Sequence, residues 1–169
     1  MNKTKNKIGI RYITYAGITA ALYVALTAVS AAFGLSSGPV QVRISEVLCV
    51  LPVFFRAAVP GVTVGCLISN LIFGGTVFDI IFGTLATLIG ALFAYTLRKH
   101  PYFSPIPTIL SNAAIVPAVI VMSTQRQWDL FPYYALTVGA GEIISCGGIG
   151  CMVIFFVNKS TRLKKLISD

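Results

Sequence analysis

The sequence predicts an all-α membrane protein with six transmembrane helices and both termini in the cytoplasm. Three observations predict this class: 56% of the 169 residues are apolar, only 11% are charged, and the mean hydropathy is +0.86. A soluble domain of this size carries more charge on its surface. The apolar residues also fall into runs, and a helix needs about 20 of them to cross about 30 Å of hydrocarbon. We therefore expect one membrane domain, residues 1–169, with the lipid bilayer as its solvent.

The basic residues between the apolar runs indicate the orientation. The net charge of +8 would suit a nucleic-acid-binding protein if these residues clustered on a soluble face, but they lie at the chain ends and between runs. With the N-terminus inside, 11 of the 13 Lys and Arg residues face the cytoplasm and two, Arg43 and Arg126, face outside. Cytoplasmic loops are usually enriched in Lys and Arg. We expect cytoplasmic tails at 1–12 and 158–169, and no nucleic-acid partner.

The first helix is predicted at about 13–34. A cleaved signal peptide is the competing interpretation, but the run of about 22 residues exceeds the typical signal core of about 7–15. Ala16 and Ala20 give this helix a small-xxx-small spacing, which lets another helix approach closely. The approaching helix belongs either to the same bundle or to a partner subunit.

The second and third segments, about 44–56 and 61–74, are short for full spans, and Pro52 interrupts the first of them. They form either two short helices or a re-entrant hairpin. Short, Pro- or Gly-broken segments in transporters tend to lie where the substrate binds.

Three longer runs complete the predicted bundle, at about 77–97, 105–122 and 131–157. Pro117 loosens the fifth helix. The sixth helix is longer than a span requires, which predicts that it is tilted.

The sequence contains none of the common catalytic or nucleotide-binding motifs. It has no GxxxxGK[ST] phosphate loop, no HExxH, no GxSxG and no Cys–His pair. The four cysteines lie in apolar runs without metal-ligand spacing, so we interpret them as packing residues. We expect no enzyme, no cofactor and no metal, and we expect any energy for transport to come from another subunit.

Glu142 is the most deeply placed charged residue of the predicted bundle. It follows Phe131 by 11 residues, which places it about 16 Å along the helix and near mid-bilayer. A charge there costs about 2.5–3.5 kcal/mol on insertion scales, so such residues are functional candidates. The alternative is a carboxyl group that only hydrogen-bonds a neighbouring helix.

Three further polar residues lie in the apolar runs. Asp79 begins the fourth helix, where a carboxylate either interacts favourably with the helix dipole or binds a ligand. Asn70 and Asn112 lie in the third and fifth segments. Amides at such positions either join helices or contact a ligand.

Charged and aromatic residues also occur at the predicted outer ends. Arg43 and Glu46, three residues apart, form either an ion pair at the interface or part of a site. Trp128 belongs either to an interfacial aromatic belt or to a surface on which a ligand stacks. Most of these candidates fall in the outer half of the membrane in the predicted topology, which indicates a polar cavity open to the outside.

At these residues the sequence resembles the queuosine-precursor transporter (QueT) family, whose members are substrate-binding (S) components of energy-coupling-factor (ECF) transporters. The resemblance runs from about Tyr12 to Val157. Its motifs are Val40-Gln41-Val42-Arg43-Ile44-Ser45-Glu46 with Leu51-Pro52, Asn70 with Gly74-Gly75 and Asp79, Gly83 with Thr84-Leu85-Ala86-Thr87, and Gly141-Glu142.

The resemblance implies a subunit of a plasma-membrane importer. Such a subunit captures its nutrient outside, and a transmembrane T component couples it to two ATPases. Ala16 and Ala20 match the alanine motif with which the family contacts the T component. The rival interpretations are an S component for another vitamin-like nutrient and a self-sufficient oligomeric carrier.

The implied ligand is a 7-deazaguanine, either the nitrile or aminomethyl precursor of queuosine or queuine itself. One carboxylate can accept both N1–H and the 2-amino group of a guanine edge, with Glu142 as first choice and Asp79 as second. Arg43 or an asparagine would donate to the O6 carbonyl. Glu46 would pair with an aminomethyl cation, and Trp128 or a tyrosine would stack on the ring.

Overall fold

The computed structural model describes residues 9–35, 42–73, 76–123 and 128–160. It therefore leaves out most of both predicted tails, Arg126, and parts of two motifs, Val40-Gln41 and Gly74-Gly75. The described residues form helices and no strand, which confirms the predicted all-α class. The elements are α1 (Ile10–Ala32), a long 3-10 helix (Ile44–Val53), α2 (Ala58–Phe73), α3 (Asp79–Thr96), α4 (Pro105–Ser123) and α5 (Trp128–Lys159).

All six predicted segments are helical, but they are not equal in length. In the described part of the chain, four helices are long and apolar enough to cross a membrane: α1, α3, α4 with its preceding turn, and α5. The long 3-10 helix and α2 are shorter. The chain is thus an all-helical protein with several spanning helices, while the count of six crossings and the side of each terminus stay predictions.

Large apolar side chains cover the outside of the bundle, and small polar side chains lie inside it. Leu136, for example, is 74% exposed, whereas Ser30, Ser45 and Thr108 are buried. Water would oppose this distribution, because exposed apolar surface of this extent is unfavourable in an aqueous solvent. The arrangement suits a bundle whose outer surface contacts lipid.

The long 3-10 helix forms the centre of the bundle. It packs against α1, α3 and the second half of α5, and Cys49 and Val50 are fully buried. Runs of 3-10 helix longer than three or four residues are uncommon because their hydrogen bonds are poorly aligned. Burial on several sides stabilises this one, and Pro52 near its end lacks the N–H that an α-helix would use.

Two glycines bring α2 into backbone contact with α1. A Cβ atom added at Gly61 would lie 2.7 Å from Cβ of Thr19, and one added at Gly65 would lie 2.6 Å from Cβ of Tyr23. Both distances are too short for any larger residue, so Gly61 and Gly65 form a G-x-x-x-G contact. The sequence contains this spacing, but it was the alanines of α1 that we had interpreted.

Other pairs of elements differ in how closely they pack at their glycines. A Cβ atom at Gly90 of α3 would lie 2.8 Å from Cα of Thr108 in α4, and one at Gly150 of α5 would lie 2.8 Å from Cγ1 of Val50. By contrast, a Cβ atom at Gly139 would meet Ala113 of α4 at 3.6 Å, an ordinary contact. At Gly139, therefore, a side chain could be added with less displacement of the neighbouring helix than at Gly90 or Gly150.

Two helices change to π geometry beside the polar interior. α3 begins with the π segment Asp79–Gly83, and α5 contains the π segment Ile143–Ile149 directly after Glu142. Short π segments within α-helices occur frequently at functional sites because they redirect the side chains next to them. Both segments adjoin the cavity described below.

Candidate functional site

A narrow cavity lies between α3, α4, the first half of α5 and the stretch before the long 3-10 helix. It measures about 10 Å³, which is room for about one water molecule. Its lining residues are Arg43, Gly83, Thr87, Asn112, Val116, Val138 and Glu142. The structure thus brings together three of the seven residues that the sequence indicated for a ligand site: Arg43, Asn112 and Glu142.

Glu142 combines a satisfied oxygen with an unsatisfied one. Its side chain is 5% exposed, and Oε1 accepts a hydrogen bond of 2.9 Å from Nδ2 of Asn112. Oε2 is buried and accepts no hydrogen bond from the described residues. A buried polar atom without a partner is unfavourable, so a donor placed in this cavity would gain a strong acceptor.

Arg43 supplies positive charge to the same cavity. It is half-buried, has an extended backbone (φ −97°, ψ 103°) and immediately precedes the long 3-10 helix. Its guanidinium lies close enough to Glu46 and Glu142 to interact electrostatically with both. A five-donor cation beside a buried acceptor can recognise a ligand that presents both donors and acceptors.

Thr87 and Gly83 line the cavity from α3, and the sequence analysis had not placed them in a site. The Thr87 hydroxyl donates to the backbone carbonyl of Gly83 at 3.2 Å and to Sγ of Cys66 at 3.3 Å. The two residues are spaced i, i+4, so they share a face of α3 with the cavity. That spacing, within the family motif that contains them, was the available signal.

Asn70 joins two helices outside the cavity lining. It is buried, and its Nδ2 donates to the backbone carbonyl of Asp79 at 3.2 Å and to Sγ of Cys66 at 3.5 Å. Gly83 allows this approach, because a Cβ atom there would lie 3.2 Å from the same Nδ2. These contacts are those of an amide that holds α2 against the start of α3.

Asp79 caps the start of α3 and does not line the cavity. Its Oδ2 accepts hydrogen bonds from the backbone N–H of Thr76 at 2.8 Å and from the Thr76 hydroxyl at 2.9 Å. A carboxylate at a helix N-terminus is stabilised by the unpaired N–H groups there. The structure therefore shows the contacts expected from the helix-terminus interpretation.

Glu46 is a second buried carboxylate, and α1 supplies its environment. The Tyr23 hydroxyl donates to Oε1 at 2.5 Å and the Cys49 thiol to Oε2 at 3.1 Å. The predicted ion pair with Arg43 is not the interaction that satisfies these two oxygens. Tyr23 was missed because it lies in a run that hydropathy treats as apolar.

A polar stripe on α1 fixes the start of the long 3-10 helix. The Thr27 hydroxyl donates to the Ser45 hydroxyl at 2.9 Å, and Oγ of Ser30 accepts from the backbone N–H of Ile44 at 2.9 Å. With Tyr23, these residues follow an i, i+4, i+7 spacing on one buried face. That periodicity would have identified the stripe in the sequence.

Trp128 lies at the start of α5, outside the cavity lining. Its side chain is 54% exposed, and its ring centroid is 6.4 Å from that of Phe131. Tyr133 and Tyr134 form an edge contact of 5.6 Å nearby. This is the arrangement of an interfacial aromatic belt.

Ala16 and Ala20 take part in internal packing and also line an open groove. Their backbone oxygens lie 2.9 and 3.0 Å from the Cβ positions of Gly61 and Gly65, and Ala20 is 8% exposed. The apolar groove beside them, between α1 and α2, measures about 330 Å³. We name it the α1–α2 groove; its lining residues are Tyr12, Ile13, Ala16, Gly17, Ala20, Pro60 and Val64.

Metal binding finds no support in the geometry of the described residues. Within 9–35, 42–73, 76–123 and 128–160, no group of three or more His, Cys, Asp or Glu side chains is arranged to hold an ion.

Comparison with known proteins identifies relatives over most of the chain. A family model described as QueT transporter matches residues 13–159. The "Queuosine precursor transporter QueT" of Lactococcus lactis subsp. cremoris (strain MG1363) is 43% identical over 72 residues. That alignment covers 43% of this chain and 42% of the relative, so the chain spans less than half the length of the curated relative that it matches. No solved structure matches the chain.

Proposed function

Because the chain belongs to the QueT transporter family, we propose that it is the substrate-binding subunit of an ECF importer for a 7-deazaguanine. Family membership makes the chain a transporter and not an enzyme, and its apolar helices make it a multi-pass membrane protein. The name of the Lactococcus relative supports a queuosine precursor as the substrate. The proposed subunit lies in the plasma membrane, captures the precursor or queuine from outside, and depends on a T component and two ATPases.

The unpaired Oε2 of Glu142 is the observation that carries this proposal. A deazaguanine presents N1–H and the 2-amino group side by side, and both can donate to one carboxylate. Asn112 fixes the carboxylate through Oε1, which still has a free lone pair for a second donor. The site therefore offers two adjacent acceptors in a buried position, where charge-assisted hydrogen bonds are strong.

The other lining residues suit the remaining edges of the base. Arg43 can donate to the O6 carbonyl, and Val116 and Val138 provide apolar contact with the ring faces. The Thr87 hydroxyl uses its proton within the bundle, toward Gly83 and Cys66, and keeps lone pairs that can accept from the ligand. Glu46, with both oxygens occupied by Tyr23 and Cys49, contributes negative charge near an aminomethyl group without direct contact in this conformation.

The cavity has to widen before a base can enter. A volume of about 10 Å³ accepts about one water molecule, far less than a bicyclic ring. The Arg43 carbonyl accepts the backbone N–H of Glu46 at 3.1 Å, so we expect its long side chain to move aside while its backbone stays in place.

Calorimetric titration of the purified chain tests the ligand class. The nitrile precursor, the aminomethyl precursor and queuine are each titrated, with guanine and riboflavin as controls. We expect the deazaguanines to bind at least a hundredfold more tightly than riboflavin, which lacks the guanine edge. Preferential binding of riboflavin or another vitamin would favour the rival S component.

Uptake into proteoliposomes tests the dependence on partners. Gly17→Leu adds a side chain to the α1–α2 groove at a position where a Cβ atom meets nothing within 4 Å. We expect intact ligand binding but at least tenfold slower uptake by the assembled transporter. Gly9→Leu is the matched control, since Gly9 is equally unobstructed and precedes α1 outside the groove. Uptake by the chain without ATPases would establish the self-sufficient carrier instead.

A further inference from the structure

Two arginines share one tyrosine ring at the end of the bundle where α2 begins and α3 ends. Cζ of Arg56 lies 5.8 Å from the centroid of the Tyr95 ring, and Cζ of Arg98 lies 5.0 Å from it. Nη1 of Arg98 also donates to the Tyr95 hydroxyl at 3.2 Å. Both arginines are exposed, and both guanidinium groups contact the same ring at the bundle surface.

A cavity of about 170 Å³ adjoins this cluster and continues into the α1–α2 groove. Tyr12 and Pro60 line both spaces. Arg56 and Tyr95 line the cavity at the charged end, and the groove then follows α1 as far as Ala20. Ala20 follows Tyr12 by eight residues, which corresponds to about 12 Å along a helix. The combined space is cationic at one end and apolar along the rest.

We propose that this space holds an anionic phospholipid, with its phosphate on Arg56 and Arg98 and an acyl chain in the α1–α2 groove. Guanidinium groups bind phosphate oxygens in a bidentate geometry, and each guanidinium has five N–H donors to share among its partners. The polar end lies just beyond Thr96, the last residue of α3, where a spanning helix meets the headgroup region. The predicted side is cytoplasmic, the leaflet in which anionic lipids attract basic residues.

The lipid and the partner subunit would compete for one surface. The α1–α2 groove contains Ala16, Gly17 and Ala20, where the proposed function places the T component. This competition rests on the proposed function, but the lipid site itself does not. An acyl chain would occupy the groove in the lone subunit and leave it when the transporter assembles.

Native mass spectrometry of the purified full chain tests the headgroup contact. The probes are phosphatidylglycerol and phosphatidylcholine with identical acyl chains. We expect phosphatidylglycerol to bind at least tenfold more tightly. Arg56→Gln together with Arg98→Gln should remove that preference, and Arg98→Gln alone should reduce it about fivefold. Lys159→Gln is the control, because Lys159 is another exposed cation over an aromatic ring, 5.8 Å from the centroid of Phe155. It should change the affinity less than twofold.

A separate binding experiment tests the acyl-chain contact. Gly17→Leu fills part of the α1–α2 groove, so it should weaken long-chain phosphatidylglycerol at least threefold relative to Gly9→Leu. Soluble glycerol 3-phosphate at equal concentration should not displace the lipid; displacement would mean that the site recognises a free phosphate alone.

Three results would overturn the proposal. Equal binding of the two lipids would remove the headgroup contact, and an equal effect of Lys159→Gln would mean diffuse surface charge. An unchanged lipid preference in the double variant, with loss of assembly into the transporter, would make the cluster a protein interface. Deazaguanine titration of each variant reports its folding, and failure of ligand binding in the unsubstituted chain would affect the proposed substrate and not the lipid site.

Discussion

Glu46 and Glu142 are both buried carboxylates of the bundle interior, but their surroundings differ. Glu46 is 1% exposed, and Tyr23 and Cys49 donate to its two oxygens. Glu142 is 5% exposed, and Asn112 donates to one oxygen while the other lacks a donor among the residues described. Burial is therefore nearly the same for both. Their hydrogen bonds differ: both oxygens of Glu46 have donors within the chain, whereas one oxygen of Glu142 has none among the described residues.

The two carboxylates also differ in the elements that hold them. Glu46 lies in the long 3-10 helix, which α1 holds by several polar contacts. Glu142 lies at the end of a regular stretch of α5, directly before the π segment Ile143–Ile149, and faces α4. The chain itself supplies a hydrogen-bond donor to each oxygen of Glu46. At Glu142 the described part of the chain leaves one acceptor oxygen without a donor beside the cavity.

Removal of each carboxylate should affect stability unequally. Glu46→Ala leaves the buried Tyr23 hydroxyl without its acceptor, and we expect a loss of about 3 kcal/mol in the free energy of unfolding. Glu142→Ala removes one hydrogen bond and a partly unsatisfied group, so we expect a loss of about 1 kcal/mol. Unfolding of both variants in mixed detergent and SDS measures the difference. Equal losses would contradict the comparison.

Ligand affinity should depend more on Glu142 than on Glu46, which is the reverse of the order expected for stability. Glu142→Gln turns one acceptor into a donor, and we expect at least a tenfold loss of deazaguanine affinity, about 1.4 kcal/mol. Glu46→Gln should change the affinity less than threefold. Calorimetric titration of the two variants provides the test. Unchanged affinity in Glu142→Gln would exclude this carboxylate from the site.

The donors to the two carboxylates allow a finer test. Tyr23→Phe keeps the ring and removes the hydrogen bond to Glu46, so we expect about 1 kcal/mol less stability and an affinity within twofold of the original. Asn112→Ala releases Oε1 of Glu142 and should lower the affinity about fivefold. An affinity loss in Tyr23→Phe as large as that in Asn112→Ala would mean that Glu46 also contacts the ligand.

Asp79→Asn should have the smallest effect. The Oδ1 atom of asparagine can still accept from the Thr76 N–H, so we expect less than about 0.5 kcal/mol of destabilisation and an affinity within twofold of the original. The same titration measures it. A tenfold loss of affinity would restore Asp79 to the ligand site as the second carboxylate that the sequence suggested.

Much of the fold could be predicted from the sequence because apolar runs and basic flanks report directly on solvation. Glu142 is buried in the bundle, as the few charged residues of the apolar runs led us to expect, while its depth in the membrane stays a prediction. The 3-10 geometry of Ile44–Val53 could not be predicted, since its stability comes from burial against three other elements. The packing roles of Gly61 and Gly65 depend on which helices meet in the fold, although their G-x-x-x-G spacing can be read in the sequence.

Candidate site residues could be selected from the sequence because its apolar runs contain few polar residues. Three of the residues selected in this way, Arg43, Asn112 and Glu142, line the cavity. Asp79 lies at a helix start and Trp128 in an exposed aromatic cluster, and whether any of them binds a ligand stays a prediction. This selection missed Tyr23 because one hydroxyl among apolar neighbours barely changes hydropathy. Distinguishing a cap from a ligand contact requires knowledge of which backbone groups are unpaired nearby.

The glycine contacts determine where the bundle can open. Gly61 and Gly65 allow close packing of α2 on α1, Gly90 allows it between α3 and α4, and Gly150 allows it between the end of α5 and the long 3-10 helix. At Gly139, in the first half of α5, a Cβ atom would meet Ala113 of α4 at 3.6 Å, an ordinary distance. The Asn112–Glu142 hydrogen bond joins the same two helices beside the cavity. If that hydrogen bond parts, this half-helix can shift slightly from α4 without separating any of the four close glycine contacts.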